Sequence, residues 1–201
     1  MKSVSKTEKT RQFIIETTAG IFNEKGYAGT SLSDLTHATK LTKGSIYGNF
    51  ENKHEVALAA FDFNWNYIKQ QIAEKKAACS SSREKILVYA NAYHKGGIFT
   101  LLKGGCPLLN TAVEADDTND ELRKKAADGF LSWKMDLETI ITEGISAGEF
   151  KSDTPIEKIA LTVIALVEGS ILLGKATKSR NNADLILSSI HDMVGLIEIK
   201  K

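Results

Sequence analysis

Residues 30 to 53, Thr-Ser-Leu-Ser-Asp-Leu-Thr-His-Ala-Thr-Lys-Leu-Thr-Lys-Gly-Ser-Ile-Tyr-Gly-Asn-Phe-Glu-Asn-Lys, constrain this chain more than any other stretch. Ser31 caps a short helix that places Leu32, Leu35 and Ala38 on one side. A tight turn around Lys40 to Thr42 leads to a second short helix, whose Leu41, Ile46 and Phe50 serve the same small core, and a third helix begins near Lys53. The second helix leaves Thr42, Lys43, Gly44, Ser45, Tyr47, Gly48 and Asn49 outside. These residues bond to phosphates and base edges, and the small ones let the backbone come close. The punctuation is that of a helix-turn-helix.

The rest of the chain reads as helix too. Two prolines in 201 residues, long runs of good helix formers, and no short-period β-branched alternation predict an all-α fold of about nine helices. The first helix is expected from Lys6 to Lys25, with Ile14, Thr18, Ile21 and Phe22 inward and Gly26 as its left-handed stop. Lys6, Lys9 and Arg11 on it are candidates to lie along a DNA backbone. A long helix follows from Lys53 to Lys76, then one from Arg83 to Gly96 capped by the Ser80–Ser82 run, and a short one from Leu108 to Ala115. Three more are expected: Asn119 to Ala147, closed by Gly148; Pro155 to Lys178, capped by Thr154; and Ala183 to Ile199.

The residues Gly26-Tyr27, Thr30-Ser31, Asp34-Leu35, Lys43-Gly44-Ser45-Ile46-Tyr47, Phe50 and Lys53 resemble the TetR-type bacterial transcriptional regulators. The resemblance implies a DNA-binding domain, taken as residues 1–53, followed by a ligand-sensing and dimerising domain, residues 54–201. It implies a double-stranded, roughly palindromic operator as partner, and release of that operator by a small-molecule effector. Tyr47 and Lys53 stand where the family contacts phosphate. Thr42, Lys43 and Ser45, with Gly44 and Asn49 beside them, fall nearest the base edges of a helix entering the major groove, and Thr30 and Ser31 donate to phosphate from the helix before. Two positions depart from the family's pattern: Lys40 replaces a common glycine and so carries left-handed backbone strain, and Asn49 replaces a frequent histidine. The charge agrees in sign, with eight Lys/Arg against five Asp/Glu up to Lys53, and eighteen against twenty beyond it.

The helix from Pro155 carries two apolar stripes, one through Ile156, Ala160, Val163, Val167 and Ile171, the other through Ile159, Leu166 and Leu173. Apolar surface on both sides predicts partners on both sides, so Ile159, Val163, Leu166 and Val167, with Ile190, Met193, Val194 and Ile197 of the last helix, are the expected homodimer interface. The expected effector pocket is lined by Trp65, Tyr93, Phe99, Cys106, Asn110, Glu114, Phe130, Trp133 and Met135, a mix of apolar and polar groups.

Other classes find little support. The four histidines are scattered, with no His-Glu-x-x-His, so neither a metal nor a cofactor is expected, nor an enzyme. Gly169 to Lys175 imitates a phosphate-binding loop, but Ala176 stands where Ser/Thr is required, and the Lys-Gly-Gly repeats at 95–97 and 103–105 read as turns. The stretch Leu161–Leu173, interrupted by Glu168, Gly169 and Ser170, is too short to span a bilayer, so no membrane partner is expected. Two cysteines without a leader predict reduced thiols in the cytoplasm. Cys106, between Gly105 and Pro107, is the thiol expected to be accessible, which opens a redox-responsive alternative beside a ligand-independent DNA-binding dimer.

Overall fold

A computed structural model describes residues 5–92 and 103–199. Among them are nine helices: α1 Lys6–Gly29, α2 Leu32–Thr39, α3 Lys43–Tyr47, α4 Lys53–Ala77, α5 Ser82–Asn91, α6 Pro107–Ala115, α7 Asp120–Ser146, α8 Ile156–Ala176 and α9 Arg180–Ile197. The expected all-α fold holds for these residues. Tyr93, Phe99 and the Lys-Gly-Gly at 95–97 lie outside them.

The helices belong to two compact units, Met1–Tyr67 with Leu102–Ala126, and Ile68–Leu101 with Ala127–Lys201. Neither unit breaks at residue 53, because α4 carries Val56, Ala57 and Ala60 into the core of the first, where they pack with Ile14, Phe22, Leu35, Ile46 and Phe50. Leu35 and Ile46 are wholly buried, as the helix-turn-helix spacing requires. Lys40 closes α2 in the left-handed region at φ 58°, ψ 19°.

The first helix runs past its expected stop. Gly26 (φ 75°) kinks α1 instead of ending it, and the chain resumes a helical turn to Gly29. A side chain at Gly26 would run into the Glu114 carboxylate. The second unit shows a similar close fit at Gly144, in the last turns of α7. There Gly148 (φ 71°) ends the helix and the aromatic ring of Phe150 folds back over Gly144. Phe150 also bridges Glu198 in a two-residue antiparallel clasp.

α8 packs on α9, and both meet α5. Thr154 does not cap α8 as expected, since its hydroxyl donates to the Lys151 carbonyl (2.7 Å). At 21 residues with mean hydropathy 1.8, α8 is longer than the stretch Leu161–Leu173 and, by length and composition alone, long and apolar enough to cross a membrane. What it does in this fold is bury Ile159, Val163, Val167 and Ile171 in the second unit.

Candidate nucleic-acid interface

A helix as short as α3 does not hold itself together and must be fixed from outside. Ile46, wholly buried, anchors its inner side. At the N-terminus Thr42 Oγ1 accepts the Ser45 N–H (3.1 Å), and beyond the C-terminus Asn49 Nδ2 donates to the Ser45 carbonyl (2.8 Å). With these ends fixed, Thr42, Lys43, Gly44 and Ser45 stand exposed in succession, and Tyr47 is half-buried beside them. The Lys43 ammonium lies 5.9 Å from the Tyr47 ring centre. Asn49 thus holds the end of α3, with its amide nitrogen turned back onto Ser45 rather than outward.

Two cations fix the scaffold. Arg11 of α1 donates to the Asn49 carbonyl (2.6 Å) and to Glu55 (2.7 Å), and its guanidinium lies 4.0 Å over the Phe50 ring. Lys53 Nζ donates to the carbonyls of Tyr27 (2.8 Å) and Thr30 (2.9 Å) and sits 4.2 Å above the Tyr27 ring. Two of the three ammonium protons of Lys53 are thereby engaged. Arg11, a candidate to lie along a DNA backbone, is engaged in the scaffold by these contacts.

The start of α2 differs from expectation at both residues. Thr30 is wholly buried and its hydroxyl donates to the Gly26 carbonyl (2.6 Å), so it presents no donor to a ligand. Ser31 is exposed, but its hydroxyl donates to Asp34 (2.7 Å) while accepting the Asp34 N–H (3.1 Å) in a closed capping box. The Lys25 ammonium (2.6 Å), with the Ser31 amide and hydroxyl, holds the Asp34 carboxyl well below the usual carboxylate range.

A second group of residues holds α1 at its kink. Both oxygens of Glu114 accept backbone N–H groups, from Tyr27 and from Ala28 (2.8 Å each), capping the turn that restarts after Gly26. Asn110 donates to the carbonyls of Asn23 (3.0 Å) and Gly104 (2.9 Å), and Asn23 donates to those of Lys103 (2.6 Å) and Gly105 (2.9 Å). Gly104 (φ 91°) leaves no room for a side chain against the Asn23 backbone. Asn110 and Glu114, expected in an effector pocket, tie α6 to α1 within the first unit. The crevice they border has a volume of about 30 Å³, room for a water rather than an organic molecule. Their spacing, four apart on an otherwise apolar α6, is the sequence signal that marks a shared polar contact.

The remaining expected pocket residues divide between the units. Trp65 and Cys106 are buried in the first. In the second, Phe130 is half-buried, Met135 is 65% exposed, and Trp133 is 4% exposed. Trp133 stacks on Tyr89, with ring centres 5.4 Å apart, and its buried indole N–H has no acceptor among the described residues. The Tyr89 hydroxyl donates to Asp136, which also pairs with Lys76; burial and the Asp136 charge push the phenol far above its ordinary range. Cys106 is not the accessible thiol, since it is wholly buried at the start of α6. Cys79 is half-buried, and burial pushes its thiol up, away from the reactive thiolate.

The expected dimer residues divide by burial. Ile159, Val163, Val167, Ile190, Val194 and Ile197 are buried within their own chain, and Leu166 and Met193 are half-buried. The apolar side chains that α8 and α9 leave outside are Leu161 (49%), Leu172 (56%) and Leu173 (47%), and Leu185 (62%) and Leu196 (73%). Leu161 and Leu172 are eleven residues apart, as are Leu185 and Leu196, about three helical turns in each case, so each pair shares one face.

Comparison with known proteins assigns both parts of the chain. Residues 14–60 match the family model described as "Bacterial regulatory proteins, tetR family", and residues 83–190 match "Tetracyclin repressor-like, C-terminal domain". A TetR-family transcriptional regulator from Cytophaga hutchinsonii is 56% identical, with all of both chains covered and a TM-score of 0.96. A TetR transcriptional regulator from Chloroflexus aurantiacus J-10-FL is 31% identical over 97% of this chain and 99% of its own, with a TM-score of 0.88. The HTH-type transcriptional repressor DhaR of Mycobacterium sp. (strain GP1) is 27% identical over 186 residues, 90% of each chain.

Proposed function

From the premise that this chain belongs to the TetR family of DNA-binding transcriptional regulators, we propose that it is a homodimeric repressor. It holds a palindromic operator in the cytoplasm and releases it when a small molecule binds. The observation that carries the reading is the succession Thr42, Lys43, Gly44 and Ser45, exposed on a helix whose every other side is fixed. Thr42, Lys43 and Ser45 read base edges in the major groove; Tyr47, whose hydroxyl makes no hydrogen bond among the described residues, and the remaining proton of Lys53 contact phosphate.

A palindrome requires a second copy. The exposed pairs Leu161/Leu172 and Leu185/Leu196 are the surface we assign to it, in place of residues already committed to the core. The experiment is selection of duplexes from a randomised pool with the full-length protein. Recovery of an inverted repeat, its half-sites about one helical turn or roughly 34 Å apart, supports the reading. Enrichment of unrelated or unrepeated sequences defeats it.

One observation favours effector control over a ligand-independent dimer. A buried donor without an acceptor costs about 1–3 kcal/mol, and the Trp133 indole N–H, beside the Tyr89 ring, meets no acceptor among the described residues. A bound molecule offering a carbonyl or carboxylate oxygen would meet that donor. The thiol-responsive alternative loses its basis with Cys106 buried.

A further inference from the structure

We propose that Lys40, in the turn between α2 and α3, is a phosphate-contacting residue of this chain's DNA interface, an assignment that rests on the DNA-binding reading above. Its backbone is left-handed, where a residue with a Cβ is strained and glycine is not. Conformation alone proves nothing, because Lys178 closes α8 in the same region (φ 52°). What separates the two lysines is position. Only Leu41 stands between Lys40 and Thr42, the N-cap of α3, so the Lys40 and Lys43 α-carbons lie within about 11 Å of each other. A helix entering the major groove by its first turn has phosphates on either side of that turn.

The distribution of charge strengthens the assignment. Of the cations in the helix-turn-helix and the helices that hold it, Arg11, Lys25 and Lys53 are bound to Glu55, to Asp34 and to the Tyr27 and Thr30 carbonyls. Lys40 is exposed, and its ammonium makes no hydrogen bond or ion pair among the described residues. It and Lys43 are the lysines next to α3 whose ammonium no carboxylate or carbonyl among the described residues engages. A glycine would form this turn without strain and without charge. Lysine accepts the strain and adds a cation that finds its counter-ion only when DNA is present.

The test compares full-length wild type, K40G, K40Q and K40R on two probes, a duplex recovered from the randomised pool and a scrambled duplex of equal length, across a series of KCl concentrations. K40G and K40Q are expected to bind both probes about tenfold more weakly at low salt, with the slope of log affinity on log salt reduced by about one per bound head. K40R is expected to bind like wild type. K40G is expected to unfold at or above the wild-type temperature, which separates lost contact from lost fold. Wild-type affinity and slope in K40G overturn the assignment and leave the DNA-binding reading standing. A loss confined to the selected duplex, with the slope unchanged, also overturns it, because that is the signature of a base contact. A wild-type protein that recovers no duplex and ignores the scrambled one overturns the DNA-binding reading itself.

Discussion

Glu114 accepts the backbone N–H of Tyr27 at 2.8 Å across 87 residues of sequence. The same carboxylate takes the Ala28 N–H, so one α6 side chain caps the α1 turn that leads into the helix-turn-helix. E114A is expected to destabilise the protein by about 1–2 kcal/mol, the range for losing a helix cap. E114Q, which keeps one acceptor, should lose less. Urea unfolding checks this, and equal midpoints for wild type and E114A would refute the capping role.

Tyr47 and Lys53 should separate under mutation, although the family resemblance gives both the same role. Y47F removes a hydroxyl that no described residue uses, so stability should change by less than about 0.5 kcal/mol while affinity falls alike for every duplex. K53M strips the Tyr27 and Thr30 carbonyls of their donor and should lower the thermal midpoint as well as DNA affinity. Calorimetry and fluorescence anisotropy on the same preparations read both. A K53M protein of wild-type stability would refute the scaffold role.

Acid should act on the reading unit through Asp34. Lys25 and the Ser31 donors hold its folded pKa below the unfolded value, so its stabilisation is complete above about pH 4 and is lost as the pH falls through the lower folded value. D34N should therefore show a shallower loss of stability than wild type below about pH 4. Parallel acid profiles of the two proteins, followed by far-ultraviolet circular dichroism, would contradict this.

Two helical glycines should respond in opposite directions to the same substitution. Nothing stands within 4 Å of where a Gly20 side chain would begin, so G20A should stabilise by about 0.5–1 kcal/mol. At Gly144 the Phe150 ring occupies that place, with Ser82 close behind, and G144A should cost about 1–3 kcal/mol through overpacking. Thermal melts decide, and a G144A protein as stable as G20A would show that Phe150 moves aside freely.

The exposed leucine pairs should govern assembly. L161E with L172E is expected to yield a folded monomer by sedimentation, whereas V163A should lower stability and leave the dimer, because Val163 is wholly buried in its own chain. A dimeric L161E/L172E protein would place the interface elsewhere.

What the sequence disclosed was what its local order contains. The inward set Leu35, Ile46 and Phe50, the Ser31 cap and the left-handed Lys40 all follow from spacing within one motif. The Glu114 and Asn110 contacts were hidden because their partners at 23–28 lie more than eighty residues away, and nothing in α6 alone names a partner. The same limit explains α8: two apolar stripes announce that both sides are covered, but periodicity does not say which side faces the chain's own core. Gly26 reads equally as a stop or a kink until Glu114 arrives to restart the turn.

One consequence follows from the stripe on α9. Asp192 is exposed on the face between Leu185 and Leu196, seven residues from the first and four from the second. A carboxylate beside two exposed leucines, on a face that also carries the exposed Ser188 and Ser189, makes the surface selective about company. A partner that buries it must offer a donor, and one that does not must leave it in water. A second copy of this chain would bring the same acid on its own α9, so a symmetric pairing through this face must leave both Asp192 carboxylates at its wet edge or supply each with a donor.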